Sequence, residues 1–384
     1  MGSPKAILFL FAVALLAAFA LRPHSPTFLS KDTRFSSSMA MSAGVSKGSI
    51  PEVRFSWGGD FQEGYAPVQV EGKFGFVDTL GALAIWPRFD YVGAFSGRLA
   101  PALIDGKWGY VDVTGRIIIP PVYDWAGPFN EGFAPVESTG GRGFIDTLGA
   151  ELGGFRYQDT RPYSGGYAAV RIGDGEWAAW GFVDRTGNLA IPPLFADVIG
   201  GFSEGFAAVR VDLEMPYRSG FIDSSGGFAI DTLYDATGEF HEGLAPVGRG
   251  EWRGNRFTGS WGYVDTTGRL KTPLAYSYAG AFRGGRALVR RVGGGNAIIA
   301  RDGRVLQEFR EDLQVLPADQ GGMLTFKLRN LYGFMDPATG GVIGPHFAEA
   351  GVFRDGWARV RLMDAGPGGW TYIGKDGRFL KVRR

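Results

Sequence analysis

Short segments of alternating apolar and polar positions run along most of the chain, and residues 107–115 (KWGYVDVTG) show the pattern most clearly. Successive side chains of a strand point to opposite faces, so Trp108 and Tyr110 would share one face while Gly109 and Val111 share the other. Segments of four to seven residues, rich in Val, Ile, Phe and Tyr and separated by glycine-containing turns, are typical of β-strands. The pattern therefore predicts a strand at this stretch.

A tight hairpin turn is expected directly after this strand. Asp112 can accept hydrogen bonds from the backbone N–H groups that follow it, and Gly115 can adopt the positive φ that such a turn requires. The same two residue types recur at 78 and 81, 146 and 149, 184 and 187, 223 and 226, and 265 and 268. The repeated Asp is thus predicted to close a turn, and not to act as a catalytic or calcium-binding carboxylate.

Nine copies of this strand and turn, numbered here as units one to nine, follow one another along the chain. An aromatic residue with Ala five positions later precedes most copies, as in Phe95 and Ala100, and a Pro-x-aromatic-Asp segment such as residues 121–124 follows. The copies are centred on residues 74–75, 108–109, 142–143, 180–181, 219–220, 261–262, 296–297, 332–333 and 370–371. The structural repeat residues include Trp180, Gly181 and Asp184 in unit four and Trp261, Gly262 and Asp265 in unit six.

Comparison of the copies with one another separates core positions from surface positions. The position of Val111 is apolar in every unit, which predicts a core face. The position of Trp108 admits Arg142, Ser219 and Asn296, which a close-packed interior would not accept without partners. The Trp position is therefore predicted to lie at a packed rim.

Three predicted strands per unit give an all-β fold, a tandem array of about nine three-stranded antiparallel units that forms a curved, solenoid-like array. The alternative is a closed, β-propeller-like ring. Residues 53–57 read as an orphan third strand, and the last unit lacks a complete one, so the two ends are complementary. Propellers use such a stagger to join their first and last blades.

Three short motifs recur along the chain: GLAPV at residues 243–247, WGYVD at 108–112 and PVYD at 121–124. With these motifs the chain resembles the WG-containing repeat family of bacterial proteins. The resemblance covers about residues 51–384. It implies a β-rich repeat array, often behind an export signal, without an established common activity. Ala300 and Gly374 depart from the pattern because they stand where the turn Asp is expected.

The N-terminal region has a different character. Lys5 precedes an apolar run from residue 6 to residue 21 that ends in small residues, as in a secretory signal peptide. We expect a signal peptide at residues 1–20, a flexible Ser-rich linker at 21–50 and the repeat domain at 51–384. The predicted location is periplasmic or secreted in a bacterial envelope, with retention as a membrane anchor as the alternative.

The composition of the chain argues against several classes of function. The net charge of +1 argues against nucleic-acid binding, and the absence of Cys excludes disulfides and thiolate metal sites. With three His residues and no catalytic or phosphate-binding motif, the sequence predicts no catalytic residue, no cofactor and no metal site. We expect no membrane span once the signal peptide is cleaved.

Insertions in units four to six lengthen one and the same hairpin, between the Ala position and the central Gly. They would project from one edge of the array, where repeat proteins commonly bind, and they carry residue types that often anchor interfaces. The candidate partner-binding residues are Trp177, Tyr217, Trp252, Arg253 and Arg256. The function predicted is a non-enzymatic binding scaffold for a protein or glycan. The alternatives are a carbohydrate-active hydrolase that uses turn carboxylates and a purely structural spacer.

Overall fold

The computed structural model describes residues 55–382 except 174, 176–177, 213–216, 255, 317–321, 338 and 364–367. The expected signal peptide and linker, and Trp177, lie outside the described residues. Within those residues the fold is all-β and its strand pairing is antiparallel throughout, as predicted. No helix in this described part is long and apolar enough to cross a membrane.

The first six units each contribute four consecutive strands. Unit one comprises β1 (Trp57–Gly58), β2 (Tyr65–Val70), β3 (Lys73–Asp78) and β4 (Leu83–Phe89). Unit two comprises β5 (Tyr91–Val92), β6 (Leu99–Ile104), β7 (Lys107–Asp112) and β8 (Ile117–Tyr123). Unit three comprises β9 (Trp125–Ala126), β10 (Phe133–Ser138), β11 (Gly141–Asp146) and β12 (Glu151–Tyr157). Unit four comprises β13 (Asp159–Thr160), β14 (Tyr167–Ile172), β15 (Ala179–Asp184) and β16 (Leu189–Phe195). Unit five comprises β17 (Asp197–Val198), β18 (Ala207–Arg210), β19 (Ser219–Ile222) and β20 (Phe228–Tyr234). Unit six comprises β21 (Ala236–Thr237), β22 (Leu244–Arg253), β23 (Arg256–Asp265) and β24 (Leu270–Ala279).

The last three units share strands with their neighbours. Unit seven uses the end of β24 with β25 (Arg286–Arg291), β26 (Asn296–Ala300) and β27 (Val305–Glu308). Unit eight comprises β28 (Gln314–Val315), β29 (Leu324–Leu328), β30 (Leu331–Met335) and β31 (Val342–Ala350). Unit nine uses the end of β31 with β32 (Trp357–Leu362) and β33 (Trp370–Gly374).

Units one to eight each have four strands, one more than the sequence predicted, and unit nine has three within the described residues. The extra strand is the continuation of the third segment, which bends after its aromatic residue and pairs with the next unit. In β24 the segment is continuous: Tyr276 pairs with Trp261 of its own hairpin, whereas Tyr278 and Ala279 pair with β25. One segment thus takes part in two sheets. Its second hydrogen-bonding partner lies in the next unit, so the local sequence does not show this pairing.

The glycine of the central motif is fixed by a close approach of backbone. The third strand bulges between Trp108 and Tyr110, so that no residue of β8 pairs with Gly109. A Cβ on Gly109 would lie 2.5 Å from the carbonyl oxygen of Ile119. In unit seven, Ala297 occupies this position. There Glu308 of the third strand pairs directly with Ala297, and the strand has no bulge at that point. Glycine is needed only where the third strand crosses in this way.

The core lies between neighbouring units. The core position predicted from Val111 is buried in all nine units, and the Ala position and the leading aromatic are buried in the eight units that have them. Phe76 of unit one packs with Phe95, Ala100 and Val111 of unit two, and the Phe76 and Phe95 ring centroids are 4.5 Å apart. Burial of each such ring contributes about 2 kcal/mol. A single unit cannot cover this face, so each depends on its neighbours.

The first and last units contact each other in the same way as internal neighbours. The hydroxyl of Tyr372 donates a hydrogen bond to the Gly59 carbonyl oxygen at 2.9 Å, as Tyr110 does to Gly127 at 2.8 Å. Phe55 forms a β-bridge with Trp370. The ends of the array therefore meet, which is the closed arrangement kept as the alternative to an open curve.

Hydrogen bonds between the turns of neighbouring units also show that the two ends meet. Carboxylate oxygens of Glu63 accept hydrogen bonds from the backbone N–H groups of Gly97 and Arg98 in the next unit, at 2.8 and 2.9 Å. Asp355 of unit nine occupies the equivalent turn position and accepts a hydrogen bond from Gly64 of unit one at 2.8 Å. The same contact recurs at Glu131, Glu204 and Glu242. The contact across the ends is therefore one more copy of a repeated interface.

Ring closure predicts equal effects for two matched substitutions. Tyr372→Phe and Tyr110→Phe each remove one buried hydrogen bond to a glycine carbonyl, and each should lower the free energy of unfolding by about 1 kcal/mol. Denaturant unfolding of the two variants measures this. A loss for Tyr110→Phe without a loss for Tyr372→Phe would show that the ends are not joined.

The turn aspartates close their own hairpins. In unit two, Asp112 Oδ1 accepts hydrogen bonds from the N–H groups of Thr114 and Arg116 at 2.9 and 3.0 Å. Units seven and nine use a carboxylate two positions later: Asp302 accepts from the N–H of Arg304, and Asp376 accepts from that of Arg378. This explains how Ala300 and Gly374 are tolerated at the Asp position.

Acid should weaken the turn of unit six. A hydrogen bond from the Thr267 hydroxyl, aided by backbone N–H donors, lowers the pKa of Asp265 to about 2 from its ordinary 3.8. Because the folded pKa is lowered, the stabilisation is complete above the unfolded pKa and is lost as the pH falls from about 4 to about 2. Asp265→Asn keeps the acceptor oxygen and should flatten this part of the stability profile. An unchanged acid slope in that variant would contradict the assignment.

Candidate partner-binding edge

The insertion of unit six lengthens both strands of its hairpin. β22 and β23 each have ten residues and remain paired up to Arg253 and Arg256 at the tip. In unit two the equivalent hairpin has six-residue strands and ends at Ile104 and Lys107. The prediction that the insertions extend one hairpin is thus confirmed for unit six.

An arginine stacked on two aromatic rings forms the centre of this edge. The guanidinium of Arg210 in unit five lies 4.4 Å from the ring centroid of Tyr217 and 5.3 Å from that of Trp252 in unit six. The rings of Tyr217 and Trp252 are 6.3 Å apart in an edge-to-face arrangement. Cation–π contacts of a desolvated arginine contribute about 2 kcal/mol each. This cluster joins the hairpins of two neighbouring units.

The cluster continues into the repeat scaffold. The Trp252 indole Nε1 donates a hydrogen bond to the carbonyl oxygen of Asp235 at 2.7 Å, which fixes the ring. Phe257 then lies 5.4 Å from Trp252 and 5.0 Å from Trp261. Trp261 is the repeat tryptophan of unit six, so the inserted aromatic residues are anchored on the repeated Trp position.

The repeat tryptophans differ in their burial, and this affects the rim prediction. Trp108 and Trp261 are half-buried, whereas Trp180 is buried. Asn296 is buried too, and its amide donates to the carbonyl oxygen of Leu313 at 3.0 Å. The packed-rim prediction therefore holds for some units and is wrong for others.

Arg210 is held by charge as well as by stacking. Its side chain is 16% exposed, and its guanidinium lies 3.6 Å from the carboxylate of Asp197. Its backbone partner across the hairpin is Ser219, the small residue at the Trp position of unit five.

The absence of a side chain at Gly248 leaves room for the ring of Phe257. The equivalent hairpin position carries a side chain in the five preceding units: Gln69, Leu103, Glu137, Arg171 and Arg210. A Cβ on Gly248 would lie 2.9 Å from Cε1 of Phe257 and 3.2 Å from Cδ2 of Trp261. The aromatic cluster therefore requires glycine at this position.

The sequence-predicted site residues fall into two groups. Tyr217 and Trp252 come together in the cluster. Arg253 and Arg256 lie opposite each other at the exposed hairpin tip, where the Arg253 side chain is 80% exposed and 3.5 Å from Glu251. Sequence reasoning missed Arg210, Phe257 and Gly248. The available signals were Ser219 at a Trp position and a glycine where other units have side chains.

Nothing in this part of the described chain indicates metal binding. Among the described residues, no group of three or more His, Asp or Glu side chains is placed to hold a metal ion. The edge presents fixed aromatic side chains next to the repeat scaffold and arginine side chains at the hairpin tip.

Comparison with protein families identifies the repeat. The model for the WG containing repeat matches residues 52–74, 74–108, 108–141, 143–177, 180–212, 220–250, 261–294 and 332–363. The chain belongs to the WG containing repeat family. These WG repeat matches omit residues 295–331, which include the centre of unit seven, where Asn296 and Ala297 replace the Trp and Gly, and they end before the centre of unit nine at residues 370–371. The structure nevertheless shows the hairpin of β25 and β26 paired as in the other units.

Solved structures with a similar course of the chain are distant. A eukaryotic initiation factor is 10% identical, with 84% of this chain and 85% of that chain covered and a TM-score of 0.41. BamB from Moraxella catarrhalis is 11% identical over 84% and 92% of the chains, with a TM-score of 0.36. Apo AztD from Citrobacter koseri is 15% identical over 75% and 92%, also with a TM-score of 0.36. The search of curated proteins finds no match.

A methyl group at Gly248 should disrupt the cluster. Gly248→Ala places the new carbon against Phe257, which must move, and overpacking of this kind costs about 1–3 kcal/mol. Near-ultraviolet circular dichroism should report the change in aromatic packing, and denaturant unfolding should report the cost. Gly227→Ala is the matched control, since its Cβ would meet only side-chain oxygens at 3.3 Å or more. Equal behaviour of the two variants would contradict the packing described.

Proposed function

We propose that this WG repeat protein is a non-enzymatic scaffold that binds a protein partner through the hairpin edge of units four to six. The observation that carries the proposal is the contact of Arg210 with the rings of both Tyr217 and Trp252, which fixes the base of a hairpin whose tip is exposed. A preorganised anchor loses little conformational entropy on binding. Tryptophan, tyrosine and arginine are also the residue types most often found as interface hot spots.

The use of the aromatic rings favours a protein partner over a glycan at this edge. Arg210 stacks on Tyr217 and Trp252, and Phe257 packs between Trp252 and Trp261. Each of these rings is thus already engaged in contacts within the protein. The groups left for a partner are the exposed side chains at the hairpin tip, chiefly Arg253 and Arg256. An acidic protein surface complements them.

The turn carboxylates favour binding over catalysis. A hydrolase built on them would need two acids that converge on one substrate and differ in protonation. Asp112, Asp184 and Asp265 instead accept hydrogen bonds from their own turns. These bonds, together with hydroxyl donors, lower the pKa values of Asp184 and Asp265, which suits a permanently ionised capping group and not a general acid.

Export to the bacterial envelope belongs to the same proposal. It rests on the apolar run at residues 6–21 and the small residues that end it. Mass spectrometry of the protein isolated from the periplasm should show a new N-terminus close to residue 21. Recovery of the intact chain in the membrane fraction would favour the anchored alternative.

Two substitutions in the extended hairpin, one in its aromatic cluster and one at its tip, test the partner surface. Trp252→Ala with Arg253→Ala should weaken binding of the partner at least about tenfold, the loss expected for one or more hot spots. The measurement is capture from envelope fractions with the full-length protein, followed by titration with the captured partner. Trp86→Ala with Arg378→Ala is the control, because Trp86 is exposed on unit one and Arg378 is an exposed arginine 3.6 Å from Asp376.

The outcomes separate the hypotheses. Loss of binding in the tip variant and retention in the control supports this edge as the interface. Equal binding by both variants would show that the partner uses another surface, and capture of no partner by the unmodified protein would favour the structural spacer.

A further inference from the structure

A two-residue turn, the entry turn, leads from the aromatic position into the second strand, as at residues 63–64, 97–98 and 131–132 in units one to three. The oxygens of Glu131 accept hydrogen bonds from the N–H groups of Gly165 and Gly166 in the next entry turn, at 2.7 and 2.9 Å. Equivalent carboxylates in the described chain are those of Glu63, Glu204, Glu242 and Asp355. The repeat thus places a carboxylate on the backbone N–H groups of the next turn, where charge-assisted hydrogen bonds hold it.

The entry turn of unit three receives no such carboxylate. Its N–H groups belong to Glu131 and Gly132, and the preceding turn has Gly97 at the position of Glu63. Within the described chain, no protein group accepts a hydrogen bond from either N–H. Both residues are exposed, and a Cβ on Gly132 would meet nothing within 4 Å. A pair of donors that binds a carboxylate in other units is therefore open to solvent here.

The entry turn of unit two also carries a positive charge. The φ angle of Arg98 is 63°, in the left-handed region, where a residue with a Cβ has a conformational cost that glycine avoids. Arg98 is exposed, and no carboxylate of the described residues forms an ion pair with it. At its position the other described entry turns have Gly64, Gly132, Gly166, Gly205, Gly243, Gly285 and Gly356. This one turn therefore lacks the repeated carboxylate and has a guanidinium in addition.

The entry turns of units two and three are in contact, and there is room between them for a carboxylate. Ser96 donates a hydrogen bond to the carbonyl oxygen of Phe129, and a Cβ on Gly97 would lie 3.6 Å from the Cβ of Phe129, an ordinary van der Waals distance. Carboxylates in neighbouring turns are compatible, because Glu204 and Glu242 occupy consecutive ones. A further carboxylate between Glu63 and Glu131 would thus repeat an arrangement that the ring already contains.

We propose that the N–H groups of Glu131 and Gly132, together with the guanidinium of Arg98, bind a carboxylate group from outside the chain. Successive backbone N–H groups in a turn form an anion site, and the bonds of Glu131 to the next turn show this pairing with both carboxylate oxygens. An external carboxylate lacks the covalent tether of Glu131, and Arg98 adds the attraction that replaces it.

The carboxylate belongs to an acidic side chain of another protein or to a small free carboxylate. The site is separate from the hairpin edge of units four to six. In unit two, for example, the strand Leu99–Ile104 begins at the entry turn and ends at the hairpin, so the two sites lie at opposite ends of the strands.

The test is titration of the full-length protein with acetate and with the blocked peptide acetyl-Gly-Glu-Gly-amide, followed by NMR of the backbone amides. Both probes should shift the amides of Glu131 and Gly132 with dissociation constants of about 1–10 mM. The neutral peptide acetyl-Gly-Gln-Gly-amide should not. The amides of Glu204 and Gly205 are the internal comparison, because Gly165 precedes them without an arginine in its turn. Their affinity should be about threefold to fivefold weaker, the effect of one exposed ion pair.

Two pairs of variants separate the donors from the charge. Gly97→Glu supplies the carboxylate from within the chain, so it should abolish the shifts and raise the midpoint of thermal unfolding by about 2 °C. Gly97→Ala adds no acceptor and should retain binding. Arg98→Gly restores the usual residue of the repeat and should weaken binding about threefold to fivefold. Arg304→Gln is its control, since Arg304 is an exposed arginine of unit seven, 3.9 Å from Asp302.

Each outcome supports or overturns the proposal. Unshifted amides of Glu131 and Gly132 at about 50 mM acetate, or unchanged binding by Gly97→Glu, overturn it. An equal response of Glu204 and Gly205, or unchanged binding by Arg98→Gly, overturns the role of the arginine. Loss in Gly97→Glu with retention in Gly97→Ala supports the site. Tighter binding of the acidic peptide than of acetate then assigns the carboxylate to a protein, and equal binding assigns it to free carboxylates.

Discussion

The need of each unit to bury its apolar face against the next determines the architecture. A four-stranded sheet of about 30 residues has two faces and no interior, so Phe95 and Val111 are buried only because Phe76 of the preceding unit covers them. An open array would leave one such face uncovered at each end. Closure removes both exposed faces at once, and the bond from Tyr372 to Gly59 shows that the last unit treats the first as its ordinary neighbour. The stability of any one unit is therefore inseparable from the completeness of the ring.

The third strand imposes the second constraint, and it explains why the repeat is recognisable. This strand must both finish its own sheet and start the next, so it bulges over the central glycine and bends after its aromatic residue. Gly109 is required by the carbonyl of Ile119, and not by a turn. Ala297 is tolerated where pairing continues without the bulge. The central glycine of the repeat thus reflects a crossing of backbones, and not the hairpin turn that follows it.

Sequence comparison among the copies predicts those features that depend on one unit alone. The buried position of Val111 and the closing role of Asp112 follow from alternation and turn chemistry, and the structure confirms both. The fourth strand was missed because Tyr278 and Ala279 continue a segment whose partner lies in the following unit. Ring closure was left undecided for a similar reason: complementary ends are compatible with a curve, and contacts between the ends, such as that of Phe55 with Trp370, distinguish the two.

The candidate site also shows which features cannot be predicted from the sequence of one unit. Tyr217 and Trp252 were identified because they stand in insertions, which are visible as changes of spacing. Arg210 stands at an ordinary repeat position, and its role arises from Ser219 in its own unit together with Trp252 of the next. A residue whose environment is assembled from two units carries no local signal of that environment. The positions that depart from the repeat while the fold remains intact, such as Ser219 and Gly248, are consequently where specific function can arise. The repeat slots themselves are committed to packing, and a change there disturbs an interface that every neighbour shares.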